Sequence, residues 1–294
     1  MITILDLMRD PELFGDQFGH ETWDAWRSLL AAFYGLPMSR RQLATYNALT
    51  GRQQPSERFS ELWQVIGRRG GKTQIAALLA VYEACFIDHR PRLSPGEVAT
   101  VMCLAADRKQ SRTLMRYVSG LLNSNPMLKA LIVKEDRESI ELSNRSVIEI
   151  GTASFRAVRG YTLAAVLADE IAFWRSDESA NPDAEIIQAL RPALATLEGP
   201  LIAFSSPYAK RGELWRNYRK HYGKESSVLV AQAPTRVMNP SLPKRIIAEA
   251  YDRDPLAAAA EYDAQFRSDV ESFVDAAVLE SLTRENPMVL PPES

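Results

Sequence analysis

The sequence predicts an α/β fold: a mainly parallel central sheet with flanking helices and an antiparallel hairpin at one edge. Three observations predict it. Short apolar runs at 61–66, 98–105, 163–168, 201–204 and 227–233 alternate with segments of helical periodicity. That is the pattern of strands buried on both faces and joined by helical crossovers. The first run opens directly into Gly67-Arg68-Arg69-Gly70-Gly71-Lys72-Thr73 and then a helical pattern, the strand–turn–helix layout of a phosphate loop. Finally, the chemically singular residues share one address. The Gly/Arg turn, Asp169-Glu170 and Ser205-Ser206-Pro207 all follow strands, where open α/β sheets bind their ligands.

Taken in order, residues 1–19 have mixed polarity and contain Pro11 and Gly15, so they read as an arm or short helix. Thr22 is placed to cap the next helix, in which Trp23, Trp26, Leu29, Leu30 and Phe33 recur at helical spacing as a packing face. Gly35 and Pro37 end it, Ser39 caps another running to about Thr50, and Gly51 stops that one. A polar loop leads to the strand Glu61–Ile66. The helix from Thr73 to about Ile87 buries Ile75, Leu78, Leu79 and Tyr82. After a Pro-rich link and the strand 98–105, Asp107 opens a helix carrying Arg108, Lys109, Gln110, Arg112 and Arg116. Ile140 and Leu142, then Val147, Ile148 and Ile150, flank the turn Asn144-Arg145 as a hairpin does. Leu163–Ala168 is a buried strand ending in Asp169-Glu170. The segment 182–196 is helical, with Pro192 expected to kink it or end it early. Arg211–Tyr222 is an amphipathic basic helix, 227–233 a last strand, and Ala-rich helices such as 255–266 follow. The expected division is 1–60, a helical region packed on the core; 61–240, the core; and 241–294, a helical lid or linker region.

Length and composition set bounds. At 294 residues, with 46% apolar and 24% charged residues, the chain suits one large globular α/β domain or two small ones. A formal net charge of −2 excludes a protein that wraps nucleic acid on every side, so such contact needs local basic patches. Two helices supply them: Arg108, Lys109, Arg112 and Arg116 on one, Lys210, Arg211, Arg216, Arg219 and Lys220 on the other. Cys85 and Cys103 lie in apolar runs without metal-pair spacing and read as buried reduced thiols. No signal peptide is apparent, and the longest apolar run, Ile75–Tyr82, is too short to span a bilayer. No membrane partner and a reducing cytoplasm are therefore expected.

The phosphate-loop reading assigns roles by geometry. Glycines let the backbone approach phosphates with its N–H groups inward, Lys72 reaches the β- and γ-phosphates, and the Thr73 hydroxyl holds Mg²⁺. Ile66 stands where the common pattern has its first glycine, so this turn is a shortened variant. Asp169 ends an apolar strand as a Walker B aspartate does and would bind Mg²⁺ through a water. Glu170 would orient or deprotonate an attacking water. Phosphoryl transfer also needs charge compensation, for which Arg68 inside the loop and Arg159 before the Walker B strand are placed.

Together these motifs resemble the large terminase subunits of tailed phages. Gly67-Arg68-Arg69-Gly70-Gly71-Lys72-Thr73 resembles their phosphate loop. The stretch Ser154–Tyr161 leading to Asp169-Glu170 resembles their approach to Walker B, and Phe204-Ser205-Ser206-Pro207 their coupling motif, followed by Glu213-Leu214-Trp215. The resemblance spans roughly 43–274. It implies a P-loop NTPase of the additional-strand type that uses ATP and Mg²⁺ to drive double-stranded DNA through a portal protein into a procapsid, with a terminase small subunit as partner. It implies a homo-oligomeric ring, a pentamer when docked and a monomer in isolation, working in the bacterial host cytoplasm. By position, Arg68 senses the γ-phosphate, Arg159 matches an arginine that in some members reaches the neighbour's site, and Ser205, Ser206 and Pro207 couple hydrolysis to movement. The family's nuclease domain uses clustered carboxylates. Asp269, Glu271 and Asp275 are too few to build one, so no DNA cleavage is expected of this chain.

Two other readings share some of these features. A helicase-like or other DNA-stimulated ATPase has the same loop and Asp-Glu pair, and only the Gly-Arg-Arg form and Ser-Ser-Pro separate it. A scaffold without turnover would not need Lys72, Thr73, Asp169 and Glu170 together.

Overall fold

The structure is a computed structural model, and it describes residues 2–55, 57–153, 160–174 and 182–267. The chain opens with helices α1 (Ile4–Arg9), α2 (Gly15–Phe18), α3 (Asp24–Phe33) and α4 (Arg40–Thr50). Ser39 caps α4 through a reciprocal box with Gln42, and Gly51 ends it at φ 68°. Thr22 is not the cap of α3. It lies in a 3₁₀ turn capped by His20, whose ring accepts from the Thr22 amide, and α3 starts two residues on without a side-chain cap.

The sheet strands and their crossovers then follow: β1 (Glu61–Ile66), α5 (Lys72–Cys85), β2 (Ala99–Ala105), α6 (Arg108–Ser124), α7 (Pro126–Lys129), β3 (Ile132–Glu135), β4 (Ser139–Leu142), β5 (Ser146–Thr152) and β6 (Leu163–Asp169). Next come α8 (Pro182–Ala195), β7 (Leu201–Ser205), α9 (Gly212–His221), β8 (Val228–Ala233), α10 (Thr235–Met238), α11 (Lys244–Arg253) and α12 (Pro255–Asp263). The eight-stranded sheet has the order β3-β4-β5-β2-β6-β7-β1-β8. Strands β5, β2, β6, β7, β1 and β8 are parallel, while β4 pairs antiparallel with both β3 and β5. The expected edge hairpin is thus β4–β5, extended by β3. Pro192 does not end α8, which runs on to Ala195. Pro192 and Gln188, whose carbonyl loses its helical donor at a proline, both lie on exposed positions.

Strand side chains alternate between two cores. Leu62, Ile66, Ile202 and Phe204 pack under α1, α3 and α5, while Trp63, Val65, Leu201 and Ala203 pack with α8 and α9. This double burial explains the largely apolar runs, in which Gln64 and Thr100 are buried exceptions. It also leaves the strand heads as the place where polar groups can gather. Cys103 is buried in β2 and Cys85 half-buried at the end of α5, and burial pushes both thiols up, that of Cys85 to about 12. Neither is a reactive thiolate. Among the described residues no helix is long and apolar enough to cross a membrane.

Candidate functional site

The heads of β1, β6 and β7 bring three separated motifs together. Between β1 and α5 the turn 67–71 folds tightly. A Cβ at Gly67 would lie 2.3 Å from the Thr235 hydroxyl and 2.7 Å from the Tyr262 carbonyl oxygen. Gly71, at φ 89°, precedes α5 with the Trp23 ring 3.0 Å from where a Cβ would stand. Arg69 also has positive φ, 65°, and is exposed. The loop backbone is gripped from outside. Trp26 Nε1–H donates to the Gly70 carbonyl (2.8 Å), the Thr235 hydroxyl to the Arg68 carbonyl (2.7 Å) and the Asn239 amide to the Arg69 carbonyl (2.9 Å). Trp26 was legible as a packing residue. Its grip on the loop was not, nor were those of Thr235 and Asn239, which lie over 160 residues away in sequence.

Lys72, 5% exposed, is the hub. Its ammonium donates to the Ile66 carbonyl (3.1 Å), the Gly67 carbonyl (3.4 Å) and the Ser206 hydroxyl (2.9 Å), and lies 3.6 Å from Glu170 Oε1. Glu170 Oε2 accepts from the Ser206 amide and from the Ser205 hydroxyl, each at 3.2 Å. Glu170 is held at φ 49°, a left-handed conformation that costs a non-glycine residue about 1 kcal/mol or more. Such strain at a strand–turn junction serves to aim a side chain. Asp169, at the end of β6, is 4% exposed, and its Oδ1 has no hydrogen-bond partner. Burial first, then the charge of Glu170, pushes its carboxyl up to about 7, opposed by Lys72. Thr73 is half-buried in the first turn of α5.

These residues fit a magnesium–triphosphate. An unpartnered buried carboxylate oxygen costs about 1–3 kcal/mol or more, and a cation at Asp169 would satisfy it. No group of three or more His, Cys, Asp or Glu that could hold a metal by itself occurs among the described residues. Mg²⁺ does not require one, because it keeps waters and takes phosphate oxygens as ligands.

Other sequence-predicted residues are placed as follows. Arg68 lines the same cleft as Glu170, a cavity of about 310 Å³ that Ser206 and Pro207 also border. Its guanidinium turns outward to Glu261 on α12 (2.9 Å), and its amide donates to the Glu261 carbonyl. The pair is exposed, 62% and 44%, and so is worth about 1 kcal/mol or less. Arg108, Lys109 and Arg112 are exposed on α6, and Lys210 and Arg211 are exposed before α9. Arg159 lies outside the described residues, as do the rest of 154–159 and Asp269, Glu271 and Asp275. The pairing of Arg68 with Glu261 on α12 has no local sequence signal.

Comparison with known proteins agrees with this fold. The family described as "Terminase large subunit, ATPase domain" matches residues 45–193. The large terminase ATPase domain of Thermus phage P74-26 is similar in structure, with TM-score 0.57 and 16% identity over 81% of this chain and 97% of that one. The large terminase of bacteriophage HK97 matches with TM-score 0.53 and 19% identity over 87% of this chain and 58% of that one. At these identities the two structures speak for the fold. No match is found among curated proteins.

Proposed function

Because the chain belongs to the terminase large-subunit family, through its ATPase domain, and is an ATPase of phage DNA packaging, we propose that ATP with Mg²⁺ binds across the heads of β1, β6 and β7. The observation that carries this reading is the contact of Lys72 with both Ser206 and Glu170, next to an open Asp169 oxygen. Lys72 exchanges its carbonyl partners for β- and γ-phosphate oxygens, and the amides of 67–73 cradle the phosphates. Thr73 and Asp169 would hold the metal, which when bound would supply charge neutralisation for the phosphates. Glu170 orients the attacking water and accepts its proton. Arg68 leaves Glu261 for the γ-phosphate, a small cost for an exposed pair. Ser205 and Ser206, bonded to Glu170 and Lys72, with Pro207 after them, transmit the state of the site along β7. Arg159 is assigned charge compensation in a neighbouring subunit's site.

The proposed partners are double-stranded DNA, held by the basic faces of α6 and α9, the portal protein and a terminase small subunit. A ring of five forms on the portal in the host cytoplasm, with a monomer in isolation. The division at 60 and 240 is proposed on the same basis, with α11 and α12 as a lid over the loop.

ATPase rates with double-stranded DNA, and with DNA plus portal-bearing procapsids, test the reading. Stimulation that requires the procapsid is expected. Stimulation by DNA alone, unchanged by procapsids, favours the helicase-like alternative. Lys72→Ala is expected to weaken nucleotide binding by about 10²-fold, the loss of one charge-assisted contact of about 3 kcal/mol. Unchanged binding overturns the loop assignment.

A further inference from the structure

A fourth strand head also reaches the cleft. Strand β2 neighbours β6 in the sheet, and α6 follows it with Asp107 as cap, accepting from the amides of Lys109 and Gln110. The cap turns this first turn of α6 so that Arg108 and Lys109 face solvent while Gln110 lines the cavity shared by Glu170, Arg68 and Ser206. Gln110 Oε1 is buried there without a hydrogen-bond partner. Several other polar groups lining the cavity are engaged: Ser206 Oγ by Lys72, Glu170 Oε2 by the Ser206 amide and Ser205, and Arg68 by Glu261. A buried acceptor without a partner costs about 1–3 kcal/mol, and a half-turn of the carboxamide exchanges the places of Oε1 and Nε2. The cleft has ample room for water, which needs about 10–15 Å³.

We propose that Gln110 positions the attacking water together with Glu170. This rests on the ATP-site reading above. The water's oxygen bonds to the γ-phosphorus as the bond to the β–γ bridging oxygen breaks and ADP leaves. One water proton passes to the Glu170 carboxylate, and the other O–H donates to Gln110 Oε1. Two acceptors on different strand heads fix the water's direction of attack, which a single carboxylate leaves free to rotate. A water-orienting side chain makes its contact as the γ-phosphoryl is attacked, not with the bound phosphates. Its loss should therefore fall on turnover rather than on affinity.

Gln110→Ala and Gln110→Met, the second keeping length and apolar bulk without an acceptor, are compared with wild type. The expected result is a fall in kcat of about 10²-fold, with affinity for a non-hydrolysable ATP analogue within about twofold. Binding of ADP–aluminium fluoride, which retains the in-line water, is expected to weaken in parallel with kcat. Wild-type kcat in both variants overturns the proposal. So does an equal loss of affinity for the analogue and the fluoride complex, which is the signature of a structural role. Glu170→Gln distinguishes the two levels of inference. If it too turns over normally, the site reading fails. If it is inactive while both Gln110 variants are active, only the role of Gln110 falls.

Discussion

Asp169 and Glu83 are carboxylates buried at opposite ends of one molecule, and burial pushes both up to about 7. Asp169 ends β6 at the strand heads. Glu83 sits in the last turn of α5, in a wall shared with Ala164 and Pro200 at the foot of β6 and β7. Each leaves one oxygen without a partner. Their neighbours differ in sign. Around Glu83 the Tyr34 hydroxyl, donating at 2.7 Å, and then Arg58 both favour the charged form. Around Asp169 the strongest neighbour, Glu170, opposes it. A perturbed carboxyl alone therefore records burial. A perturbed carboxyl facing a second carboxylate records a place left for a cation, which is why only the strand-head end reads as a site.

Removing the opposing charge tests this most severely. Glu170→Gln is expected to lower ATP hydrolysis by about 10³-fold, within the range for a lost general base, while leaving the affinity for ATP intact. Single-turnover rates and fluorescent-nucleotide titration separate the two. Hydrolysis near the wild-type rate would show that the second carboxylate is surface charge after all, and the contrast with Glu83 would lose its meaning.

Much of this contrast was readable in the residues. Apolar runs placed β1, β2, β6, β7 and β8 to within a residue, because strands buried on both faces are largely apolar. The capping residues Ser39 and Asp107 act within four residues of their targets, and so their patterns are local. What stayed hidden is held by distant partners. Trp26 on the Gly70 carbonyl, Asn239 on the Arg69 carbonyl and Glu261 on Arg68 join residues 44, 170 and 193 apart. Gln110 looked like one polar residue in a basic helix, and only the packing of α6 shows which side chain turns inward. Thr22 failed as a cap because the 3₁₀ turn before α3 took its place.

Asp169→Asn sharpens the comparison by separating stability from function. The folded pKa of about 7 lies above the ordinary 3.8. The native state thus binds the extra proton, and stability present below about pH 4 is lost as pH rises to 7. At about 1.4 kcal/mol per pKa unit, the buried charge costs a few kcal/mol at pH 8, and asparagine does not carry it. The free variant is expected to melt higher than wild type at pH 8 and to gain nothing from Mg²⁺ when nucleotide is added. A lower Tm would mean that Asp169 is a structural anchor rather than a group waiting for a metal.

The smallest effect on turnover belongs to the foot of the sheet. Glu83 has a folded pKa of about 7 against an ordinary 4.5, so its contribution to stability is likewise present below about pH 4.5 and lost by pH 7. Glu83→Gln keeps an oxygen to accept from Tyr34 and carries no charge. Urea unfolding at pH 5 and pH 8 is therefore expected to show wild type losing a few kcal/mol between the two, and the variant losing less. ATP turnover should not change, because Glu83 lies eleven residues along α5 from Lys72, about 16 Å at 1.5 Å per residue. A variant that is equally stable but slower would place function at the foot of the sheet, and the sign of the neighbouring charges would no longer distinguish the two ends.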